Sequence, residues 1–532
     1  MAEGFLKRLL RALGLLPAEQ PEAERPKRQV RQPARHPEKP PAAPEKTPRK
    51  TARRPAAQPV AQTLKKAQSH RPKARLGAQV TKEPESPRPE LLQFPGGTTA
   101  DKADIVIGLD FGTSCSKVVV RGLIVAADRA YAVPLAEDCT EPYLLPSQMF
   151  RNARGEYSLT AAIGGERCPD LKVRLLVNPG DAEAQRDAAV YLGLVLRNTR
   201  EWFLRTQQKR YGRYELRWTV NVGVPSAGYD DDEIRQGFFN AARAAWWLSM
   251  AGEPLTRRHV EEAWVKLDEG TEAPVTVIPE VVAAAAGYAR SKRAKSGLHL
   301  MVDVGASTLD LCGFGLLNDS EGQRYVLFST VVEHLGAAIL HLDRVRALDR
   351  CDHRGAACQI DPRDPTGAVP DDLAAYVEDG GEIPVELSAV DKNFLEECAM
   401  ATRTVLVQTW MKNPQTRQWR EDGLPVFLTG GGTRMGFYQR LVDHAVAEHG
   451  SYAWSGLRRS PLEMPVDLEP LGHHGARLPR MLVAYGLSFS SVDLGGGGVE
   501  GTGGLVRPQD VPDVPLPPAR RLDDRYISKD MV

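Results

Sequence analysis

Residues 104–120 read DIVIGLDFGTSCSKVVV and form the most informative stretch of the chain. A β-branched run enters a turn of small residues and a second β-branched run leaves it, which predicts a β-hairpin. Its bend carries more polar groups than a turn needs, namely Asp110, Gly112, Thr113, Ser114 and Lys117. Glycine lets the backbone approach a ligand closely, and the hydroxyls, N–H groups and lysine suit a phosphate. The pattern indicates a turn that holds an anion.

Residues 298–316, LHLMVDVGASTLDLCGFGL, repeat this arrangement. An apolar strand ends at Asp303, and Asp310 opens the next one. The turn between them carries Gly305, Ala306, Ser307 and Thr308. Two such hairpins facing each other across a cleft would hold a polyphosphate from both sides. Asp110 and Asp303 would then hold a divalent cation mostly through its waters, because Mg²⁺ keeps several waters and needs only one or two carboxylates besides the phosphates.

A third run, PVFLTGGGTRMGFYQRL at 425–441, predicts a strand, a glycine turn and a helix. The turn carries Gly430, Gly431, Gly432, Thr433 and Arg434. Its glycines allow close backbone approach to a base or ribose. Two strand-to-helix links, at 218–246 and 275–291, complete the pattern. In the second link Glu280 follows a strand end, where α/β folds keep reactive groups.

Together these runs resemble the ATPase domain of the heat shock protein 70 family, within the actin-like ATPase superfamily. LDFGTSCSK resembles the first phosphate motif, VDVGASTLD the second and TGGGTR the adenosine motif. VNVGVPS, IPEVVAAAAGYA, EHLGAAILHLDR and LPRMLVAYGLS resemble further segments in the family's order, from 104 to about 490. The resemblance implies an α/β protein with the actin-like ATPase fold. It would have two lobes, about 104–295 and 296–490, each a mixed β-sheet flanked by helices, with nucleotide in the cleft between them.

The resemblance also implies ATP and Mg²⁺ as cofactors and a role for each motif residue. Asp110 and Asp303 would organise Mg²⁺ through water. Thr113, Ser114 and Lys117 would contact the β- and γ-phosphates. Glu280 would lie near the attacking water, with Thr308 and Asp310 in the same network. The nucleotide would be bordered by residues of both turns and of the glycine segments, namely Gly112, Gly305, Ala306, Ser307, Gly336, Gly430, Gly431, Gly432 and Arg434.

Three residues of the pattern need separate comment. A lysine at position 117 is typical of actin and its bacterial filament relatives, whereas the chaperones usually bring their phosphate lysine from another segment. Lys172, in CPDLKVRLL, resembles that second lysine, and we favour Lys117 because a tight turn fixes its position. Arg403 could stack on adenine, since a guanidinium plane suits a base, or it could lie on an exposed helix face. Ala306 and Ser307 replace family glycines, so we expect binding to survive and hydrolysis to be slow.

Three segments that flank residues 104–490 differ from them in amino-acid composition. Residues 1–16 have apolar residues at helical spacing with cations opposite, which predicts an amphipathic helix for a membrane surface or a protein partner. Residues 17–103 are Pro-rich and basic and predict disorder, as does the Gly/Pro-rich end, 491–532. Residues 1–100 hold 21 Lys and Arg against 9 Asp and Glu, although the chain's net charge is only +1. Such a tail can bind nucleic acid, but it lacks aromatic residues for base stacking, which favours a solvated tether.

The leading hypothesis is a stand-alone, chaperone-like member of the family that hydrolyses ATP slowly and switches an unknown protein partner. We expect no peptide-binding β-sandwich, because only about 45 residues follow the last motif. The seven scattered cysteines form no CxxC pair and favour a reducing, cytoplasmic location, to which the helix over 1–16 could add contact with a membrane. Alternatives are an actin-like filament or scaffold protein tethered through that helix, and a sugar or acetate kinase of the same superfamily.

Overall fold

The structure is a computed structural model that describes residues 92–94, 101–494 and 505–506. Gaps within this range fall at 124–128, 137–139, 162–163, 227–230, 253, 292–293, 320–321, 350–353, 363–367, 380, 415, 420, 448–455, 470–476 and 492. The helix expected over 1–16 lies outside the described residues, as do most of the two expected tails. Within the described residues, no helix is long and apolar enough to cross a membrane.

Within the described residues, seven strands precede the first helix, and helices and strands are interspersed after it. The strands are β1 (Lys102–Phe111), β2 (Cys115–Leu123), β3 (Arg129–Ala132), β4 (Leu145–Pro146), β5 (Met149–Arg151), β6 (Glu156–Ser158), β7 (Glu166–Cys168), β8 (Glu215–Val224), β9 (Leu255–Thr256), β10 (Val275–Pro279), β11 (Gly297–Val304), β12 (Leu309–Asp319), β13 (Gly322–Glu333), β14 (Leu424–Thr429), β15 (Leu457–Arg459) and β16 (Leu505–Val506). The helices are α1 (Leu171–Val177), α2 (Ala182–Thr206), α3 (Gln208–Tyr211), α4 (Asp232–Leu248), α5 (Arg257–Asp268), α6 (Glu280–Ala289), α7 (Ala337–Ala347), α8 (Val385–Lys412), α9 (Gly436–Ala447) and α10 (Leu478–Leu487). Short 3₁₀ turns lie at Ala356–Gln359, Leu373–Tyr376, Arg417–Trp419 and Gly431–Arg434.

Two mixed sheets share one strand order. The first sheet runs β10-β8-β1-β2-β3, with β4 also beside β2, and the second runs β15-β14-β11-β12-β13, with β16 added at its edge. In each sheet, three successive strands (β1–β3 or β11–β13) pair antiparallel. Two later strands (β8 and β10, or β14 and β15) then add in parallel on the free side of β1 or β11. A smaller sheet joins β7, β5, β6 and β9. The chain is therefore a mixed α/β protein in which one plan occurs twice.

Three of the apolar cores in the described residues hold these layers together. In the first, α2 and α4 pack with strands of the first sheet. In the third, α7, α8 and α9 pack with strands of the second sheet. In the second core, α6 and α10 pack with residues of both large sheets, including Val119, Met301 and Phe427. Strand β1 lies in the middle of the first sheet, and accordingly it is mostly apolar and buried along nearly its whole length.

Helices α6 and α10 touch at their backbones. A Cβ at Gly486 would overlap the carbonyl of Ala283, and a Cβ at Gly287 would lie 2.9 Å from the Leu482 carbonyl oxygen. Gly108 on β1 meets the carbonyl of Ala484 in the same way. Glycine is the only residue that allows such close approach without a shift of the neighbouring backbone.

The end of α10 is tied to the first sheet by polar side chains. Asn221 on β8 donates from Nδ2 to the carbonyl oxygens of Leu487 and Phe489, both at 2.8 Å. Arg121 on β2 is completely buried, and its guanidinium lies 4.0 Å from the Phe489 ring centre. Arg121 Nη1 also lies 2.5 Å from Asp467 Oδ2. These contacts satisfy the Asn221 amide group and part of the Arg121 guanidinium, and they hold the end of α10 against the first sheet.

The folded region extends beyond the limits that the sequence predicts at both ends. Strand β1 begins at Lys102 rather than 104. Within the expected tail over 17–103, Phe94 is only 4% exposed, and Gln93 makes two hydrogen bonds to the backbone of Leu216. In the expected tail over 491–532, Leu494 is buried and β16 pairs with β13. The prediction of disorder from composition is wrong for these residues, because a few apolar side chains can pack against an existing core even within a polar segment.

Candidate functional site

The first hairpin places Asp110 opposite Lys117. The two residues are partners in the β1–β2 ladder, and Lys117 Nζ lies 2.9 Å from Asp110 Oδ2. Burial opposes the charge on Lys117, but the Asp110 carboxylate outweighs that effect, so the pKa of the Lys117 ammonium is raised. The lysine therefore stays charged at neutral pH.

The first turn, residues 112–114, is supported by a neighbouring segment. Ser147 donates from Oγ to the Gly112 carbonyl at 2.6 Å and from its N–H to the Ser114 carbonyl at 2.9 Å. A Cβ at Gly112 would meet the Cys115 carbonyl and lie 3.1 Å from Lys117 Nζ. Thr113 and Ser114 are half-buried at the bend. The sequence motif thus forms a turn whose backbone carbonyls are fixed by hydrogen bonds from Ser147.

The second hairpin places two carboxylates opposite each other. Asp303 pairs with Asp310 in the β11–β12 ladder, at the same seven-residue separation that joins Asp110 and Lys117. Burial, together with Glu280 and Asp110, raises the pKa of Asp303 to about 7. Burial and then Asp303 raise the pKa of Asp310 well above its usual range. Two carboxylates at facing positions repel each other when both are ionised, so a cation bound beside them would stabilise this hairpin.

Asp310 is only partly satisfied. Thr308 Oγ1 lies 3.4 Å from Asp310 Oδ2. The other oxygen, Oδ1, is buried without a hydrogen-bond partner among the described residues. In the described part of the chain, no ion pair joins Asp303 or Asp310 to a basic side chain. A buried carboxylate oxygen in this state suits a water molecule or a cation.

The second turn, residues 305–308, rests on the start of α7. The N–H groups of Gly336, Ala337 and Ala338 donate to the carbonyls of Ser307, Gly305 and Ala306, at 3.3, 3.1 and 2.8 Å. A Cβ at Gly336 would overlap the Ala306 carbonyl. Gly336 was expected to border the nucleotide; the structure places it directly beneath the turn.

Glu280 and Lys172 form a buried ion pair. Glu280 is the first residue of α6, and its Oε1 lies 2.7 Å from Nζ of Lys172 on α1. Burial raises the pKa of Glu280, although the charge of Lys172 lowers it in part. A Cβ at Gly223 would lie 3.0 Å from Glu280 Cγ, so a glycine leaves room for the carboxylate. A carboxylate with a raised pKa can accept a proton near neutral pH.

The glycine segment after β14 adjoins Asp303. Gly430 has φ +88°, and a Cβ there would overlap Asp303 Oδ1 and the Val304 carbonyl. Thr429 Oγ1 and the Gly430 N–H both donate to the Pro479 carbonyl, at 2.7 and 2.9 Å. Only glycine meets both the backbone angle and the close approach. Of the other expected residues here, Gly432 and Thr433 are buried and Arg434 is exposed.

Six charged residues, here called the charged cluster, thus share one electrostatic environment. The charges of other members shift the pKa values of four of them, Lys117, Glu280, Asp303 and Asp310, across both hairpins. They are Asp110, Lys117, Lys172, Glu280, Asp303 and Asp310. Four carboxylates face two lysines, so the cluster has a deficit of positive charge when all six are ionised. The structure brings together both lysines between which the sequence left a choice.

The residues present fit a hydrated divalent cation better than a directly bound one. Within the described residues, no three His, Cys, Asp or Glu side chains are grouped closely enough to hold a metal ion. Asp303 and Asp310 nonetheless supply carboxylate oxygens that pair with no basic side chain among the described residues. Mg²⁺ keeps several waters and therefore suits such a spacing.

Arg403 lies on α8, where its Nη2 donates to Glu396 Oε1 on the same helix at 3.0 Å. Its described ion pair is therefore on that helix rather than with the charged cluster.

Arg480, at the start of α10, was missed by the sequence analysis. Its Nη2 lies 3.8 Å from Cys115 Sγ, and its Nε lies 3.4 Å from the position of a Cβ at Gly431. Its positive charge also acts against the rise in the pKa of Lys117. The only signal in the sequence is its place directly after Pro479, whose carbonyl accepts from Thr429 and Gly430.

Comparison of the chain with protein-family models gives no match, and a search of curated proteins finds none that is similar.

Proposed function

We propose that this chain is an ATP-binding and slowly ATP-hydrolysing protein with the actin-like ATPase fold, its nucleotide bound between two lobes. The observation that carries the proposal is the charged cluster. Its members come from two hairpin turns and two other segments that are far apart in sequence. The shared strand order of the two large sheets supports it as well, because the two turns then occupy equivalent positions.

The proposed site binds the phosphates from both sides. The first turn offers N–H groups, hydroxyls and Lys117, and the second turn offers its own backbone and Thr308. Asp303, Asp310 and Asp110 would hold Mg²⁺ through its waters, and the ion would supply charge neutralisation at the phosphates. Such positioning and electrostatic stabilisation are the main demands of phosphoryl transfer.

In this proposal Glu280 accepts the proton of the attacking water. Its raised pKa suits a general base near neutral pH, and Lys172 holds the carboxylate in place at 2.7 Å. The second turn carries Ala306 and Ser307, whose carbonyls bind the start of α7. Their Cβ atoms narrow the approach of a phosphate to the backbone, which supports slow rather than fast turnover.

The proposed output is a conformational switch. Nucleotide bound between lobes can favour a closed arrangement of the two, and release can favour an open one. The resemblance to the heat shock protein 70 family supports a chaperone-like role on a protein partner. The five described cysteines are free thiols, which supports a reducing, cytoplasmic location.

Purified full-length protein tests this proposal through MgATP binding and phosphate release. Glu280→Gln should leave binding in place and lower turnover by about 10²-fold or more. The matched control is Glu261→Gln, since the Glu261 side chain is 65% exposed on α5. Failure of the wild type to bind ATP would sink the proposal. Binding without any turnover would leave a nucleotide-held scaffold and remove the hydrolytic part.

The second candidate is an actin-like filament or scaffold protein. Lys117 favours it, because a lysine in the first hairpin is typical of those relatives, and here the residue is paired with Asp110 at the bend. High-speed sedimentation with and without ATP separates the two candidates. Protein that pellets only with nucleotide supports the filament; protein that stays in the supernatant supports the switch.

A further inference from the structure

Arg480 occupies the junction between the first hairpin and the glycine segment. Its Nη2 lies 3.8 Å from Sγ of Cys115, the residue that follows the first turn. Its guanidinium is also the nearest group to a Cβ built at Gly431, with Nε at 3.4 Å and both Cζ and Nη2 at 3.8 Å. The side chain therefore reaches from α10 to both segments at once.

The neighbours of Arg480 connect it to the charged cluster. Gly430, next to Gly431, abuts Asp303 Oδ1, and Cys115 lies two residues from Lys117. The guanidinium also acts electrostatically on the Lys117 ammonium. Two cations near each other repel, and an anion between or beside them relieves the repulsion.

We propose that Arg480 is a second basic side chain, beside Lys117, that binds phosphate, and that it contacts the α- and β-phosphates of a nucleoside di- or triphosphate. The inference rests on the proposed function and extends it to a residue outside every sequence motif for phosphate. A nucleotide whose ribose borders Gly431 and whose terminal phosphate meets the first turn must pass its inner phosphates beside this guanidinium. Arginine suits the task because its planar fork donates two parallel hydrogen bonds to phosphate oxygens.

The experiment compares Arg480→Ala and Arg480→Lys with wild type in the full-length protein. Binding of fluorescent ATP, ADP and adenosine analogues is measured in Mg²⁺ buffer. Arg480→Ala should weaken ATP and ADP by a similar factor of about 10 to 100 and leave adenosine unchanged. Arg480→Lys should recover part of the loss. Arg258→Ala is the matched control, because the Arg258 side chain is 83% exposed on α5.

Each outcome bears on one claim. Equal ATP and ADP affinities in wild type and Arg480→Ala would overturn the inference while leaving the proposed function standing. A loss confined to ATP would move the contact to the γ-phosphate and overturn the assignment. No binding by the wild type would count against the proposed function itself.

A second measurement covers the case in which the alanine variant does not fold. Wild-type protein is treated with phenylglyoxal, which modifies accessible guanidinium groups, and Arg480 is followed by mass spectrometry. MgADP should slow modification of Arg480 severalfold, adenosine should not, and Arg258 should react equally in all samples. Equal modification of Arg480 with and without MgADP would overturn the inference.

Discussion

Lys172 and Glu280 form an ion pair of 2.7 Å although 108 residues separate them in sequence. The pair fixes α1 against the start of α6, and both side chains are largely buried, with 6% and 14% exposed. Removing one member of a buried pair leaves the other charge uncompensated.

Lys172→Ala should shift the acid limb of the pH–rate profile for ATP turnover to higher pH. The reason is that the lysine lowers the pKa of Glu280, so its loss lets burial raise that pKa further. Turnover at pH 7 should fall about tenfold or more. Lys209→Ala, at an exposed position on α3, is the control. An unchanged acid limb would remove Glu280 from the role of base.

Asp303→Asn should stabilise the protein without Mg²⁺ or nucleotide, and more so at pH 8 than at pH 5. The folded-state pKa of about 7 lies above the usual value for Asp, so the stability of the wild type falls as pH rises toward 7. The introduced asparagine side chain does not titrate, and the titratable groups outside the charged cluster contribute equally to both proteins. The gap in free energy of unfolding should widen by about 2 kcal/mol between these pH values.

Thermal melting of both proteins across this pH range measures the gap. A gap that is constant with pH would mean that Asp303 is ionised throughout.

Gly486→Ala should destabilise the fold by about 3 kcal/mol, since the added Cβ overlaps the Ala283 carbonyl where α6 and α10 touch. Gly252→Ala is the matched control, because no atom of the described residues lies within 4 Å of a Cβ there and Gly252 is exposed. Urea unfolding compares the two variants. Equal stability would show that the helices separate at no cost.

Phe94→Ala should lower the free energy of unfolding by about 3–5 kcal/mol. Phe94 is 4% exposed and lies in the first core, with its ring 6.4 Å from that of Phe203. Val265→Ala, at a position 54% exposed on α5, should change stability little. A fragment that begins at residue 100 should likewise melt lower than one that begins at residue 85. Identical melting of the two fragments would contradict the docking of Leu92–Phe94.

The strands, turns and junctions around the charged cluster could be predicted from local sequence. Glycine, aspartate and hydroxyl residues at the ends of apolar runs constrain the backbone within a few residues, so β1, β2, β11, β12 and the start of α6 follow. Contacts that depend on distant segments could not be predicted. The pairing of Lys172 with Glu280, the position of Arg480 and the burial of Phe94 each need the packed helices, which no local pattern specifies.

Helix α10, which covers part of the first sheet, is synthesised long after that sheet. The Asn221 side chain receives its partners, the carbonyls of Leu487 and Phe489, only 266 and 268 residues later. At the usual pace of a ribosome that interval lasts about 15 to 50 s. During it the face of the first sheet around Gly108 and Arg121 has no α10 to cover it. A nascent chain of this protein is therefore exposed to aggregation until almost all of its described residues have been translated, and a premature stop before 478 leaves that face open permanently.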